Sequence, residues 1–287
     1  MKKLKSSRAA SFVAVALVYI LTAISGIFIY LALPLEPWLA LLIADLGATV
    51  VCFIFSLIFG NASVYDPYWS VQPPVIVGAF LVGCGPSPLA LLLFGVILIW
   101  AIRLTANWAY TFRGLNHQDW RYTMLKEKTG KFYPLINFIG IHTVPTLIVY
   151  ACTLPAVIAC VSGAALHPLS IPFAALSLLA TLMQGISDVE MHKHRKLHTG
   201  SFIRTGLWKN SRHPNYLGEI LMWWGVGGAA VASMPEASYL LTGALLNTVL
   251  FLTVSIPMAD ARQSQKDGFA EYKSQTRMLL PLPRHRK

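Results

Sequence analysis

The chain alternates between long apolar runs and short polar connections. Apolar stretches span about Ala9–Leu33, Trp38–Phe59, Val71–Val82, Pro88–Trp108, Phe138–Val161, Ile171–Ile186, Tyr216–Ser233 and Tyr239–Met258. Most approach or exceed the ~20 residues a helix needs to cross a hydrocarbon core about 30 Å thick. None shows the strict alternation of a barrel strand, so helices are expected. The third run is short and opens on Pro73-Pro74. If it crosses, there are eight helices with both termini on one side; without it there are seven. The expected fold is an all-α integral membrane protein, a bundle of seven to eight transmembrane helices, in one domain over residues 1–287.

Composition agrees. The chain is 55% hydrophobic and 12% charged, with mean hydropathy +0.58; a soluble domain has about 25% charged residues. The net charge of +11 does not call for nucleic acid, because the basic residues are concentrated in four places. These are the N-terminal tail (Lys2, Lys3, Lys5, Arg8), the stretch Arg113–Lys131, the stretch Lys193–Arg212 and the tail Arg262–Lys287; Arg103 stands apart. By the positive-inside rule these regions and both termini are cytoplasmic, and a bacterial inner membrane is the expected location. The run Ala9–Leu33 is too long for a signal sequence and lacks a clear cleavage site, so it reads as a retained first helix. Cys52, Cys84, Cys152 and Cys160 lie in apolar runs without ligand spacing and read as small buried hydrophobes. His142, His167, His194 and His198 form no HExxH arrangement, so no metal is expected. There is no GxGxxG fold-back, GxSxG elbow or Walker loop.

Chemistry concentrates in Ser211–Glu219, SRHPNYLGE. Pro214 suits a first helical turn. Asn215 and Tyr216 then sit beside unpaired backbone N–H groups at the positive end of a helix, a ready site for an anion such as phosphate. Arg212, Tyr216 and Glu219 are four and three apart and are expected on one face. Glu219 lies about one turn inside an apolar run, where a carboxylate needs a partner. A structural Arg–Glu staple satisfies that need as well as a bound ligand does. Asp45, mid-segment, is expected to make a helix–helix hydrogen bond.

Gly206-Leu207-Trp208, Ser211-Arg212-His213-Pro214-Asn215-Tyr216, Gly218-Glu219 and Trp223-Trp224 together resemble the C-terminal signature of the membrane-embedded steroid 5α-reductase superfamily. The likeness is greatest to its bacterial branch, formerly known only as a domain of unknown function. It reaches Asp188 upstream and Phe269, Tyr272 and Leu280-Pro281 downstream, covering roughly the last hundred residues. The resemblance implies NADPH in a cytosol-facing cavity capped by cytoplasmic loops, and reduction of a C=C bond in a lipophilic enone such as a 3-oxo-Δ4 steroid. Residues 1–112 would form the substrate side and 113–287 mainly the cofactor side. The related isoprenylcysteine carboxyl methyltransferases share Arg-His-Pro-x-Tyr and use S-adenosylmethionine. A methyltransferase acting on a lipid or prenyl-cysteine is therefore the alternative, and a non-enzymatic transporter or scaffold the third.

Carried over residue by residue, Asp66 matches an acid that polarises the substrate carbonyl. The family tyrosine three residues before Arg103 is Trp100 here, so Tyr65 or Tyr68 is the substitute phenol. Arg103 and Asn107 share a face toward the nicotinamide amide or pyrophosphate; a buried pair of Arg103 with Asp45 or Glu219 is the competing reading. Arg121 would grip phosphate and Trp120 stack on adenine, unless this stretch is simply an amphipathic surface helix. Asp188 would bond the cofactor, with Arg195 and Arg204 near the adenosine phosphates; an arginine at a 2′-phosphate favours NADPH over NADH. Arg212, His213, Asn215, Tyr216 and Glu219 complete the cofactor set. Asp260-Ala261-Arg262 stands where animal enzymes carry a histidine cluster, so those contacts do not transfer. The expected partners are a lipophilic small molecule and membrane lipid.

Overall fold

The structure, a computed structural model, describes residues 2–198 and 200–282. The basic residues Arg284, Arg286 and Lys287 lie outside the described residues. In chain order the helices are α1 (Lys2–Ser6), α2 (Arg8–Ala32), α3 (Pro37–Phe59), α4 (Tyr68–Cys84), α5 (Pro88–Thr111), α6 (Trp120–Thr129), α7 (Tyr133–Ile136), α8 (Val144–Ser162), α9 (Ser170–Leu197), α10 (Pro214–Ser233), α11 (Thr242–Leu250), α12 (Ile256–Gln263) and α13 (Phe269–Gln275). No strand occurs among the described residues; one isolated bridge pairs Ser211 with Arg277. π-helical stretches over Asn137–Thr143 and Phe251–Ser255 lead into α8 and join α11 to α12.

Local chemistry sets the boundaries. Ser7 and Ser87 accept N-terminal amides of α2 and α5, and Pro88 occupies the first turn of α5. Gly60 ends α3 at φ 58°, a conformation glycine adopts without strain. Pro73 and Pro74 sit inside α4 without ending it, as packed membrane helices permit. The short third apolar run is thus part of a longer helix that begins at Tyr68.

Among the described residues, six helical rods are long and apolar enough to cross a membrane: Arg8–Ala32, Pro37–Phe59, Pro88–Thr111, Trp120–Ser162, Ser170–Leu197 and Pro235–Gln263. The protein is therefore a multi-pass membrane protein. Its outward faces fit that setting: Val13, Leu17, Ile20, Ile24, Phe28 and Leu31 on α2 are all exposed, which water would penalise. α4, at 17 residues, is shorter than these rods. α10 carries Glu219 and several glycines and is less apolar, yet it is the most enclosed helix, with Met222, Trp223, Val226, Ala229 and Ala230 inside the core.

The close approach of α10 to α9 depends on glycine. A Cβ on Gly225 would meet the Phe173 carbonyl oxygen at 2.6 Å, and one on Gly218 the Ala180 carbonyl oxygen at 2.7 Å.

The basic segments gather at one end of the bundle. Asn61 donates to the Leu115 and His117 carbonyls at 2.8 and 3.0 Å, Lys5 donates to the Phe59 carbonyl, and Lys266 donates to the Ser201 carbonyl at 2.7 Å. At the other end Ser87 donates to the Ala159 carbonyl, and Ser233 accepts from the His167 amide and contacts Ser170. α4 and α10 also join these two ends. The two internal basic stretches are partly helical: α9 continues through the second to Leu197, and α6 lies within the first.

Among the cysteines, Cys52, Cys152 and Cys160 are buried, while Cys84 is exposed, correcting the expectation that all four are buried. It lies at the end of α4, past the last turn that packs inward. A membrane-impermeant maleimide should label Cys84 only from the face opposite the basic end. The other three should react only after denaturation, and mass mapping of labelled sealed vesicles checks both.

Candidate functional site

Two polar constructions meet at the basic end. The first is built on α10. His213 precedes the helix and Pro214 opens it, so Arg212 lies outside the helix. Arg212 does not share a face with Tyr216 and Glu219, and no Arg–Glu staple forms, because the guanidinium turns to the C-terminal segment. It donates to the Thr276 carbonyl at 2.7 Å, the Lys273 carbonyl at 3.3 Å and Asp260 Oδ2 at 3.2 Å. The Arg212 amide donates to the Arg277 carbonyl at 2.9 Å. Asp260 Oδ1 accepts from His213 Nε2 at 2.9 Å, and the His213 ring stacks on Tyr216, 5.3 Å between centroids and 5° from parallel. Tyr272 donates to the Trp208 carbonyl, and Trp208 Nε1 donates to the Ser187 carbonyl at 3.2 Å. Asn215 Oδ1 is buried in the first turn without a partner.

Glu219 faces the core. Its carboxylate accepts three indole N–H groups: Trp100 at 2.9 Å, Trp223 at 3.1 Å and Trp69 at 3.3 Å. Trp223 is one turn along the same helix; the other two come from α5 and α4. Trp100, where the resemblance implies a tyrosine, therefore has a definite task, holding Glu219.

The second construction is a polar cluster between α4, α5, α6, α9 and α12. Arg103 pairs with Asp188 and donates to Gln184 Oε1 at 2.5 Å, not to Asp45 or Glu219. Its Nε and the Gln184 Nε2 are buried without partners. Asn107 Oδ1 and His192 Nε2 are 2.7 Å apart. Asp119 caps α6 and grips Arg121 at 2.8 and 3.2 Å. Tyr216 lies within electrostatic reach of Arg121, Asp119, Arg195 and Asp188, so the two constructions are neighbours. Arg195 makes no hydrogen bond or ion pair among the described residues, and Arg204 lies over the Phe202 ring at 4.9 Å. Trp120 is covered by the Arg262 guanidinium at 4.3 Å, which occupies the ring face assigned from sequence to adenine.

Asp66, Tyr65 and Tyr68 are separated by direction. Tyr65 hydroxyl meets Thr146 Oγ1 at 2.9 Å, and Tyr68 donates to Asp45 Oδ1 at 2.7 Å. Gln72 donates to Asp45 Oδ2 at 2.9 Å, so Asp45 makes the helix–helix bonds its position required. Asp66 instead turns toward α6 and accepts from the Tyr122 hydroxyl at 2.7 Å. Burial pushes the Asp66 carboxyl up to about 6, with Arg121 opposing the rise and Asp119 adding to it. Burial would also raise Asp119, but the Arg121 charge and hydrogen bonds outweigh it and hold that carboxyl below the usual range. Tyr122 was missed in the sequence because its position, one residue after Arg121, says nothing of a partner 56 residues earlier.

An apolar groove of about 610 Å³ runs between α4 and α5, open to the side of the bundle and lined by Val71, Pro74, Phe94, Leu98, Ala101 and Thr105. That size falls among ligand pockets. Ser70 and Ala101 in its wall are the chain neighbours of Trp69 and Trp100.

The sequence profile of a family described as "Protein of unknown function (DUF1295)" matches residues 52–276, most of the chain. The chain belongs to this family. The match begins in α3 and ends in the C-terminal segment that clasps Arg212, so it includes both constructions. A Schizosaccharomyces pombe protein described as "Uncharacterized protein C594.04c" is 28% identical over 193 residues, covering 57% of this chain and 56% of the relative. The chain therefore spans little more than half of that relative's length. No solved structure matches.

Two outcomes follow from the geometry. Glu219→Gln puts an amide N–H₂ among three indole donors, so near-ultraviolet circular dichroism should lose tryptophan fine structure. Asp260→Asn leaves Arg212 buried without its counter-charge, at a cost of about 3–5 kcal/mol. Limited proteolysis should then cut residues 264–277 well before the bundle, and equal resistance to wild type would contradict the clasp.

Proposed function

We propose that the protein is an NADPH-dependent reductase of the C=C bond in a lipophilic enone, with a 3-oxo-Δ4 steroid as the concrete candidate, as in the steroid 5α-reductase superfamily. The observation that carries the reading is a set of buried polar atoms without partners on α5, α9 and α10. Asn215 Oδ1, Arg103 Nε and Gln184 Nε2 are buried and unpartnered, which suits a ligand rich in amide and hydroxyl groups. The first turn of α10 presents free amides, and Arg195 lacks a carboxylate; both suit phosphates. S-adenosylmethionine has no phosphate and would leave Arg195 unanswered, which favours the reductase over the methyltransferase.

When bound, NADPH would supply a hydride to the β-carbon of the enone, and the α-carbon would take its proton from water. The chain's own residues do the rest. Arg103, held by Asp188, and Asn215 orient the polar end of the cofactor. The groove between α4 and α5 admits the oily substrate from the bilayer. As negative charge gathers on the substrate ketone oxygen, Asp66 in its protonated form donates a hydrogen bond there. Tyr122, bonded to Asp66, is the phenol positioned to share that task; Tyr65 and Tyr68 brace α4 against α8 and α3. Glu219 serves by fixing Trp69 and Trp100 behind the groove. We place the basic end in the cytoplasm, with eight crossings and both termini on that side.

The direct test mixes the purified full chain with NADPH and a panel of enones that includes testosterone and progesterone, following absorbance at about 340 nm and product mass. No consumption with any of them sinks the proposal. Because the acid form of Asp66 is required, kcat should fall as pH rises through about 6. Arg121→Gln removes the charge that lowers the Asp66 carboxyl and should move that limb to higher pH. Asp66→Asn should lower kcat by roughly 10²-fold or more.

A further inference from the structure

A second apolar trough, of about 570 Å³, lies between α2 and α3, apart from the groove beside α5. Ala10 and Ala14 give it small side chains on α2. The stacked pair Phe55 and Phe59, 6.1 Å between ring centroids, forms its wall on α3. Leu4 of α1 stands at one end and Leu21 at the other. Most of the lining comes from residues 4–21, which precede the segment 52–276 matched by the family profile.

The trough is confined to one half of the bundle. From Ala10 to Leu21 the helix rises about 16 Å, close to half of a hydrocarbon core about 30 Å thick. In the other half α2 and α3 close on each other. A Cβ added to Gly26 would lie 3.5 Å from Ala48 Cβ, and the Ile29 side chain fills the space a Cβ on Gly47 would need. The two helices therefore meet in the far half and part toward the basic end.

A cation stands at the mouth. Lys5 donates to the carbonyl of Phe59, a wall residue. An ammonium has three N–H donors, so this bond leaves two for a further acceptor. The fold sets the position of the lysine. Its carbonyl accepts from the Asn116 amide at 3.2 Å, and the Leu4 carbonyl accepts from Ser11 Oγ at 3.1 Å. Arg8, three residues on, is turned elsewhere: it donates to the Ala109 carbonyl at 2.8 Å and lies over the Phe12 ring at 5.5 Å. A solvated basic tail requires no apolar trough of leaflet depth beneath one fixed ammonium.

We infer that this trough binds an anionic glycerophospholipid, with one acyl chain lying along Ala10, Leu17, Leu21 and Phe55 and the phosphate on the Lys5 ammonium. Lipid and trough agree in charge, depth and order: the cation stands at the surface, and the apolar channel below it is as deep as one leaflet. Binding of this lipid does not depend on the chain being a reductase.

The test places the full chain in phosphatidylcholine nanodiscs doped with phosphatidylglycerol whose acyl chain carries a diazirine. The same diazirine chain on phosphatidylcholine is the control probe. After illumination, peptide mass mapping should find phosphatidylglycerol adducts at residues 10–21 and 55–59, at about five times the yield of the control. Lys5→Gln should abolish that preference while Tm stays at the wild-type value, and Lys5→Arg should restore it. Arg8→Gln removes the same charge nearby and should leave the preference intact. Ala10→Phe narrows the trough and should also remove it. Equal adducts from the two probes overturn the site and leave ordinary bilayer lipid against α2. A preference that survives Lys5→Gln, or that Arg8→Gln lowers equally, overturns it too, because the charge is then read diffusely. A second copy of the chain seated in the trough would shield these residues from both probes, and that outcome also overturns the lipid site.

Discussion

A carboxylate inside an apolar bundle must be met by donors, and Glu219 is met by three indoles from three helices. Glu219 is buried, and a buried carboxylate is costly unless donors meet it. The consequence is geometric. Trp69 fixes the rotation of α4, Trp100 that of α5, and Trp223 locks the carboxylate to its own helix. Small residues let α10 lie directly on α9, and the indoles tie its other side to α4 and α5. α10 is thereby pinned, and its N-terminal turn is held facing the cluster of Arg103, Asp188, Arg121 and Arg195.

Several other acids and hydroxyls in the bundle are met with different chemistry. Asp45 is answered by Tyr68 and Gln72, Thr49 by Thr146, and Asp260 by Arg212 and His213. The rule is not absolute: single polar atoms on Thr22, Gln72 and His142 and both side-chain polar atoms of Asn247 are buried without partners, as are Asn215 Oδ1, Arg103 Nε and Gln184 Nε2 toward the basic end.

Much of this was legible in the sequence. Runs of about twenty apolar residues announced the rods, and the basic clusters announced their shared end. Pro214 announced the start of α10, and the mid-span position of Asp45 announced a partner. Direction was not legible. Whether Arg212 turns along the helix or back to residue 277 depends on a segment more than sixty residues away. Asp66 and Tyr68 are two residues apart and address different helices, because the chain between them changes from an irregular turn to α4. Spacing predicts faces only inside a helix, and Arg212, His213 and Asp66 all lie just outside one. Trp100 reads in the sequence only as a position lacking the phenol that the resemblance implies; its indole N–H donates to a residue far along the chain.

The clasp around Arg212 also works as a latch. Its acceptors are the carbonyls of residues 273, 276 and 277 together with the Asp260 carboxylate. The entrance to α10 is thus fastened from outside the bundle, by backbone that belongs to no apolar rod. A cut in the turn after α12 would undo the fastening and leave the rods packed.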